Sequence, residues 1–264
     1  MKLYDQHVHS YYSYDSKQPI EEYLDKATEL GLDYFVLTDH CDLNYLDQNK
    51  DLFFDVTKQN GELDVLQKKY PCIRILRGIE IGYKPTEIKR INEIIKSNHF
   101  DLINFSLHEA ERIDFYFPEV FKKFGIKKTL KIFFESELEA IKNFNDYDVL
   151  CHFDYGFKTA YFADNKLVIQ TYKDIVEEIL KTIIKNDKAL EINLKVQEVL
   201  PIEHTKYILD LYRSLGGRYL TLSSDAHEIE RFNQNFDKYI QLIKQAGFDN
   251  LTYFVNRKKH FIKI

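Results

Sequence analysis

The chain has 264 residues, 44% of them hydrophobic and 30% charged, which is the composition of an ordinary folded domain and excludes a disordered or fibrous protein. Because 42 Asp and Glu residues outnumber 37 Lys and Arg residues, the formal charge of -5 gives no overall basic field that would attract nucleic acid. The sequence has no signal-peptide pattern and no apolar run of the roughly 18 residues that a membrane span needs, so we expect a cytoplasmic protein without a membrane partner.

Seven short segments are predicted to be β-strands, and most of them are continuous runs of apolar residues. Such runs are typical of strands that are buried on both faces, as in a parallel sheet covered by helices, whereas half-exposed antiparallel strands alternate between apolar and polar residues. The predicted strands are residues 2–8, 34–38, 73–81, 102–107, 149–153, 189–194 and 219–223.

Amphipathic segments between these strands are predicted to be helices, and two of them end next to a glycine, Gly31 or Gly216, that suits a C-cap. The predicted helices are residues 20–30, 87–97, 130–143, 172–185 and 205–215. Seven βα units without a Pro/Gly/Ser-rich linker predict a single α/β domain over residues 1–264. The expected topology is a closed or nearly closed (β/α) barrel, similar to a TIM barrel, and a doubly wound open sheet is the alternative.

His7 and His9 stand two residues apart at the end of the first predicted strand. Alternate residues of an extended chain face the same way, so both imidazoles can reach one point and form part of a metal site. Two surface histidines at this spacing also occur by chance, so the pair taken alone leaves both interpretations open.

The same pattern recurs along the chain, because six of the nine histidines fall at the carboxyl ends of predicted strands, the rim where α/β barrels assemble their active sites. These residues are His7, His9, His40, His108, His152 and His227, and Glu80 and Asp225 occupy corresponding positions. One such histidine is more often a capping or core residue than a ligand, but a recurring set is hard to explain in that way. Imidazole and carboxylate groups suit Zn, Mn and Fe ions, and the set exceeds the three or four protein ligands of one catalytic zinc. The sequence therefore predicts a polynuclear metal site.

Four further polar residues near strand ends are candidates for substrate binding. Arg112 and Lys158 lie just beyond the fourth and fifth predicted strands and could hold phosphate oxygens, although a solvated surface charge is the alternative for each. Glu191 and Asn193 lie on one face of the sixth predicted strand, where they could contact a substrate or fill a polar layer of the barrel.

The ordered set of motifs resembles the PHP (polymerase and histidinol phosphatase) domain family, and within it the histidinol-phosphatase type. The motifs that carry the resemblance are residues 5–10 with 13–15, Thr38-Asp39-His40, Gly78-Ile79-Glu80, Ser106-Leu107-His108, Cys151-His152, Glu191-Ile192-Asn193 and residues 223–227. They span nearly the whole chain and are specific as an ordered set. The resemblance implies a distorted (β/α)7 barrel that holds up to three divalent metal ions, Zn, Mn or Fe, in its mouth.

The resemblance also implies which residues bind these ions. Carried over position by position, the ligands are His7, His9, Asp15, His40, Glu80, His108, His152, Asp225 and His227. Some members of the family have a histidine where this chain has Asp15, which adds an oxygen ligand and a negative charge. Glu80, Asp225 and His227 are the ligands that we expect to act in catalysis as well.

The chemistry of such a site favours a small phosphomonoester as the substrate. Metal coordination lowers the pKa of water to roughly 7, and a second ion stabilises the attacked or leaving oxygen. Three divalent ions would outweigh the negative charges of Asp15, Glu80 and Asp225, so the loaded site would attract a phosphate dianion.

The resemblance implies that this substrate is L-histidinol phosphate, hydrolysed to L-histidinol and phosphate in histidine biosynthesis. The amine and imidazole of the substrate would need acidic or aromatic partners. Glu109, Glu111 and residues 115–117 lie near the fourth predicted strand end and are the candidates.

Three other functions are compatible with parts of this pattern. Cleavage of nucleic acid or nucleotides is the first, because PHP domains also resemble exonucleases, and the missing basic stripe counts against it. A noncatalytic module, in which the metal ions only stabilise the barrel, would have saturated coordination without a position for water. A metal-dependent amidohydrolase would also begin with the HxH pattern, but Glu80, His108 and residues 225–227 fit the PHP order better.

Overall fold

The computed structural model describes residue 2 and residues 4–264. Among these residues the strands are β1 (Tyr34–Leu37), β2 (His40–Asp42), β3 (Leu52–Phe53), β4 (Arg74–Gly82), β5 (Leu102–Ser106), β6 (Glu109–Ala110), β7 (Ile113–Asp114), β8 (Val149–Leu150), β9 (Ala189–Asn193), β10 (Leu220–Ser223), β11 (Asn250–Val255) and β12 (Lys258–Lys263). The α-helices are α1 (Ile20–Glu29), α2 (Val56–Lys69), α3 (Ile88–Ser97), α4 (Pro118–Phe124), α5 (Ile126–Asn143), α6 (Tyr155–Ala163), α7 (Lys173–Lys185), α8 (Leu194–Gln197), α9 (Ile202–Ser214) and α10 (Phe236–Gln245). Short 3-10 turns occupy Tyr45–Asp47, Pro85–Glu87, Ile169–Tyr172 and Ile229–Arg231.

The central sheet is parallel from β4 to β10, in the order β4, β5, β8, β9 and β10. On the other side of β4, β1 pairs with its first half and β2 with its second half, so these two strands together fill one interrupted strand position. The short strand β3 adds an antiparallel edge to β2. Parallel neighbours need crossover connections, which helices provide in most of the links.

The segment around Val8 closes this sheet. Val8 forms a parallel bridge with Ala226, just beyond β10, and His9 N donates a hydrogen bond to Ala226 O (2.8 Å). On the other side Thr38 N, just beyond β1, donates to Val8 O (2.9 Å). The sheet is therefore a barrel with seven strand positions, which confirms the predicted distorted (β/α)7 barrel and excludes the doubly wound open sheet.

The prediction of a regular first strand over residues 2–8 is wrong. Of the part that the structure describes, only Val8 forms a β-bridge, and Leu3 lies outside the described residues. A side chain anchors the segment instead, because the buried carboxylate of Asp5 accepts hydrogen bonds from the backbone N (3.0 Å) and the hydroxyl of Ser224. The chain therefore reaches the seam of the barrel without a continuous backbone ladder.

The end of the barrel opposite the predicted ligands is covered by the hairpin β11–β12, which the sequence analysis did not predict. Its turn residues, Asn256 and Arg257, have positive φ angles of 50° and 60°, as a two-residue type I′ turn requires. Phe254 and Val255 pack in one buried cluster with residues near the amino-terminal ends of the barrel strands, such as Val36. The hairpin thus fills the floor of the barrel.

Five helices were predicted with approximately correct bounds, and they are α1, α3, α5, α7 and α9. Helices α2, α4, α6, α8 and α10 were not predicted. In α2 the apolar residues are few and Gly61 interrupts the pattern, so the amphipathic signal is weak. No helix in the described part of the chain combines the length and the apolar character that crossing a bilayer requires.

Candidate metal centre

The carboxyl ends of the barrel strands bring all six predicted histidines together with Asp15, Glu80 and Asp225. His7, His9 and Glu80 are completely buried. The backbone of His152 and of Asp225 has a positive φ (23° and 53°), so the chain bends sharply where these two side chains enter the group. The predicted convergence of strand ends is therefore present in the structure.

Glu80 lies at the centre of the group. Its Oε2 atom is 2.8 Å from His40 Nδ1, 3.3 Å from His7 Nε2 and 3.5 Å from His9 Nε2. Its Oε1 atom is 2.9 Å from His152 Nε2, and 3.2 Å separate it from His108 Nε2. The two carboxylate oxygens thus face two different sets of imidazoles, which is the position of a carboxylate that bridges two cations.

Asp225 and Asp15 connect the remaining imidazoles. Asp225 Oδ1 lies 3.3 Å from His9 Nε2 and 3.4 Å from His227 Nδ1. Asp15 Oδ2 lies 3.0 Å from His227 Nε2, and its Oδ1 atom is 3.5 Å from His40 Nε2. These two carboxylates extend the group toward solvent, because 36% of the Asp15 side chain is exposed.

Several groups of three side chains place one ligand atom each within 4.8 Å of one another, close enough to hold a metal ion. Four of these groups are His7-His9-Glu80, His40-Glu80-His108, His9-His40-His227 and His7-His152-Asp225. The groups share members, so one ion would not use all of the donors. The arrangement suits a polynuclear site in which neighbouring ions share ligands.

Buried ligand atoms without hydrogen bonds provide a test of whether these residues suit metal ions. His7 Nε2, His9 Nε2, His40 Nδ1, His152 Nδ1 and Glu80 Oε2 are buried. Glu80 Oε2 lies within 3.5 Å of three of these nitrogens, but none of the five atoms has a partner of hydrogen-bonding geometry among the residues that the structure describes. Each unsatisfied buried polar atom costs about 1–3 kcal/mol. Since these atoms crowd around one small volume, divalent cations would compensate the cost for several of them at once.

The charges of the two most buried carboxylates also suit cations. Burial alone would raise the pKa of the Glu80 carboxyl, but His7 and His40 hold it well below its usual value. Burial acts on Asp225 in the same direction, and Lys195 and His7 likewise keep its pKa well below the usual value. Both carboxylates are therefore ionised at neutral pH, which is the form that binds a metal ion.

Three acceptors behind the imidazoles hold them in position. Glu191 Oε1 lies 2.8 Å from His7 Nδ1, and Asp42 Oδ1 lies 2.7 Å from His108 Nδ1. Ser13 Oγ lies 3.0 Å from His9 Nδ1 and donates a hydrogen bond to Asp39. Partners of this kind fix the tautomer and the ring orientation of a metal ligand.

Asp42 was not predicted, although the sequence contains a signal for it. His40 and Asp42 belong to the same strand, β2, so their side chains share one face. Gly82 leaves the space for this contact, because a Cβ atom there would lie 1.8 Å from Asp42 Oδ1 and 3.1 Å from His108 Nδ1. A carboxylate two residues after a ligand on the same strand therefore predicts a residue that faces the site, and Asp42 fits this pattern.

The four predicted substrate residues have different positions. Glu191 also accepts from His152 N (2.8 Å), and Asn193 Nδ2 donates to Asp225 Oδ2 (3.2 Å), so both support the predicted ligands from beneath. Lys158 is buried with its Nζ 4.6 Å from the centre of the Tyr155 ring, and burial with the nearby Lys195 lowers its pKa to about 8.

Arg112 does not lie with the predicted metal ligands. Its side chain is 73% exposed, and its guanidinium lies 2.9 Å from Asp47. Together with Asp47 and Lys84 it lines a separate cavity. Arg112 has a φ of 61° and occupies the turn of the hairpin β6–β7. Its side chain therefore points outward from the hairpin.

The open cavity above the metal ligands, here called the mouth, has a volume of about 390 Å³. Its lining residues are Tyr14, Asp15, His40, Tyr45, Glu80, His108, Asp114, Tyr116, Phe117, His152, Tyr155, Lys195, Asp225 and His227. Lys195 was not predicted, and its Nζ lies 3.5 Å from Asp225 Oδ1 and 3.1 Å from His227 Nδ1. It follows Asn193 at the start of α8, a helix that the sequence analysis did not detect.

Replacing Asp42 by Asn is expected to weaken metal binding about 10- to 100-fold, because His108 Nδ1 loses the carboxylate that fixes its tautomer. Competition with a chelator, followed by elemental analysis, measures the effect. Asp64→Asn is the matched control, because Asp64 is exposed and its ion pair with Arg77 does not include any of the predicted ligands. Equal metal affinity in wild type and Asp42→Asn would show that Asp42 does not support a metal ligand.

Comparisons with known proteins agree with this geometry. Residues 5–195 match the PHP domain family. A probable histidinol-phosphatase of Clostridium acetobutylicum is 31% identical over 93% of this chain and 94% of its own length. The histidinol-phosphatase of Lactococcus lactis is 29% identical over 98% of this chain and 96% of its own length.

A solved structure is similar over the same extent. The histidinol phosphate phosphatase of Lactococcus lactis, crystallised with zinc, L-histidinol and phosphate, superposes with a TM-score of 0.84 at 26% identity. The match covers 98% of this chain and 99% of that one. The resemblance seen in the motifs is confirmed, and the chain belongs to the PHP domain family.

Proposed function

We propose that this chain is a metal-dependent histidinol phosphatase, a cytoplasmic enzyme of histidine biosynthesis that hydrolyses L-histidinol phosphate to L-histidinol and phosphate. The observation that carries the proposal is the convergence of five imidazoles on Glu80 at the open end of the barrel. The names of relatives that match over nearly their full length support the substrate. The proposed domain is the whole chain, residues 1–264, because segments near both ends meet in the barrel at Val8 and Ala226.

The proposed site holds up to three divalent ions, Zn, Mn or Fe, and the zinc in the similar solved structure supports this class of cofactor. The proposed ligands are His7, His9, Asp15, His40, Glu80, His108, His152, Asp225 and His227. When bound, the ions supply activated water and the positive charge that phosphoryl transfer requires. Glu80 would contribute its two oxygens to the ions, while Glu191 and Asp42 hold the imidazoles of His7 and His108 in position.

Lys195 is the residue that we expect to bind the phosphoryl group, in place of Arg112. Its ammonium group lies at the mouth beside Asp225 and His227, where its donors can reach phosphate oxygens. It can also hold a proton next to the leaving oxygen. Lys158 is buried close to Lys195 and adds positive charge near this side of the mouth.

The size of the mouth agrees with a small substrate. A volume of about 390 Å³ is within the range of small-molecule sites, which span roughly 300–1,000 Å³. The acidic surface charge of the chain does not attract a polyanion. Both observations favour a phosphomonoester over nucleic acid.

The test is a steady-state comparison of L-histidinol phosphate with other phosphomonoesters, phosphodiesters and single-stranded DNA. We expect the highest kcat/KM for L-histidinol phosphate, because its dianionic phosphate suits the loaded site and its organic half fits the mouth. Wild type without added metal and after treatment with a chelator provides the background rate. A higher kcat/KM for an oligonucleotide would overturn the proposal in favour of a nuclease.

A further inference from the structure

Four carboxylates of the described residues line the mouth. One of them is not among the nine predicted metal ligands, which are here called the metal group. Asp15, Glu80 and Asp225 contact histidines, as described above. Within the described residues, the Asp114 carboxylate accepts hydrogen bonds from the hydroxyl of Tyr45 and from Tyr116 N (2.8 Å). Asp114 is nevertheless 8% exposed at the cavity wall, so its negative charge faces the mouth.

The two acids that the sequence suggested for the cationic half of the substrate do not line the mouth. Glu109 is buried, and its Oε1 atom accepts hydrogen bonds from Lys84 Nζ (2.9 Å) and Leu46 N (2.7 Å). Glu111 lies exposed in the turn of the hairpin β6–β7 and lines the separate cavity near Arg112. Asp114, directly opposite Glu109 in that hairpin, is the acid that lines the mouth.

Aromatic rings connect Asp114 with the metal group. Tyr155 lines the mouth together with Asp114, and its ring centre lies 5.1 Å from that of His152 and 5.9 Å from that of His108. Tyr14 lies 5.1 Å from His40, and Tyr116 completes the wall next to Asp114. Aromatic faces attract organic cations within about 6 Å. This wall therefore complements a cation that extends from a phosphate held at the metal group.

We propose that Asp114 is a specificity-determining residue, which binds the ammonium or imidazolium group of the substrate while the phosphate lies at the metal group. The proposal rests on the proposed function, since L-histidinol phosphate carries both cationic groups beside its phosphate. A carboxylate offers about four acceptor positions, and the bonds from Tyr45 and Tyr116 use two of them. Asp114 can therefore accept a further, charge-assisted hydrogen bond without losing its present partners.

The structure fixes Asp114 before the substrate binds. Lys84 Nζ lies 2.8 Å from Asp47 Oδ1 and 2.9 Å from Glu109 Oε1, so one buried ammonium joins the loop of Tyr45–Asp47 to the hairpin β6–β7. This loop carries the tyrosine that bonds to Asp114. Preorganisation of this kind reduces the entropy lost on binding and so favours discrimination between substrates.

The experiment compares wild type, Asp114→Asn and the control Glu111→Gln, which removes an exposed acid from the same hairpin. The substrates are L-histidinol phosphate, O-phosphoethanolamine, whose organic half carries an ammonium group, and glycerol phosphate, whose organic half is uncharged. We expect Asp114→Asn to raise the KM for L-histidinol phosphate about 10- to 100-fold with kcat within about threefold, since a charge-assisted hydrogen bond is lost. For glycerol phosphate, the kcat/KM of Asp114→Asn should change less than about twofold. The metal content of Asp114→Asn should match wild type, as should the KM and kcat of the Glu111→Gln control.

Two further variants keep the test decisive. Asp114→Glu retains the charge and should recover part of the lost discrimination, and Asp114→Ser replaces Asp114→Asn if the amide disturbs folding. An equal loss of kcat/KM for esters with a cationic and with an uncharged organic half would assign Asp114 a structural role. Unchanged KM and kcat for L-histidinol phosphate would show that Asp114 does not recognise the substrate. If wild type does not hydrolyse L-histidinol phosphate, the proposed function fails. The ratio of O-phosphoethanolamine to glycerol phosphate turnover in wild type and Asp114→Asn then still decides whether Asp114 selects cationic esters.

Discussion

Removal of the metal ions with a chelator is expected to reduce phosphatase activity below about 1% of its starting value and to lower the thermal midpoint. Metal ions supply several kcal/mol of transition-state stabilisation, and about 1.4 kcal/mol corresponds to a tenfold change in rate. Without them, buried atoms such as His7 Nε2 and His9 Nε2 have no hydrogen-bond partner among the described residues. A ligand that binds only the folded state stabilises that state, so its loss lowers the midpoint.

Elemental analysis of the purified protein should find more than one equivalent of transition metal, and adding Zn or Mn back should restore activity. The surplus of donors around Glu80 is the reason. One tightly held ion, or none after growth in medium replete with metal, would contradict a polynuclear site. Activity that persists in the chelated protein would contradict metal-dependent catalysis itself.

Replacing Glu80 by Gln is expected to lower kcat about 100- to 1000-fold, the range observed when a group that stabilises a transition state is removed. Glu80 is the carboxylate whose two oxygens approach two sets of imidazoles. An amide keeps one oxygen and turns an NH2 group toward the others, so it can bridge cations only poorly. Because the change acts on the chemical step, KM should move much less than kcat.

His99→Ala is the control for this variant. His99 is 60% exposed, and its nearest charged partner is Asp101 at 3.7 Å, outside the metal group. Metal content, thermal midpoint and kcat are measured for both variants and wild type. We expect both variants to fold, and near-normal kcat in Glu80→Gln would show that the end of β4 is not part of the catalytic site.

The sequence predicted most of the strand ends well, because the ligands there follow runs of apolar residues that are typical of buried strands. His40, Glu80 and His108 follow such runs, and parallel strands bring their carboxyl ends to one rim. Local sequence therefore determined both the element and the side of the barrel. The ligand assignment itself stays a prediction until metal analysis of variants tests it.

The substrate side of the mouth was less predictable, because it depends on loop geometry. Arg112 follows His108 closely in sequence, yet a tight hairpin turns it outward, while Asp114 on the returning strand lines the mouth. Lys195 lies just after β9, on a helix too short to be detected by its periodicity. In such places the direction of a side chain depends on one or two backbone angles, and these cannot be inferred from residue type.

The hairpin β11–β12 shows the complementary limit for the fold. Lysines interrupt β12, and the apolar run of β11 is only three residues long, Tyr253 to Val255, so neither strand gave a strong signal. Packing of Phe254 under the barrel, with Gln6 Oε1 accepting a hydrogen bond from Phe254 N (3.0 Å), determines its position instead. Contacts between distant parts of the chain of this kind leave no local pattern.

The seam between Val8 and Ala226 also bears on how the chain folds. Asp5 and Ser224, which bond across the seam, are 219 positions apart in the sequence, so this contact closes a loop that contains most of the chain. Contacts of such long range make folding slow, because the entropy of closing the loop is lost before the contact is gained. The two sides of the seam carry His9 and His227, proposed ligands of the same ions, so the metal would act as a late crosslink between the two halves of the folding chain. A partly folded molecule with an open seam would then have neither a closed barrel nor a competent site.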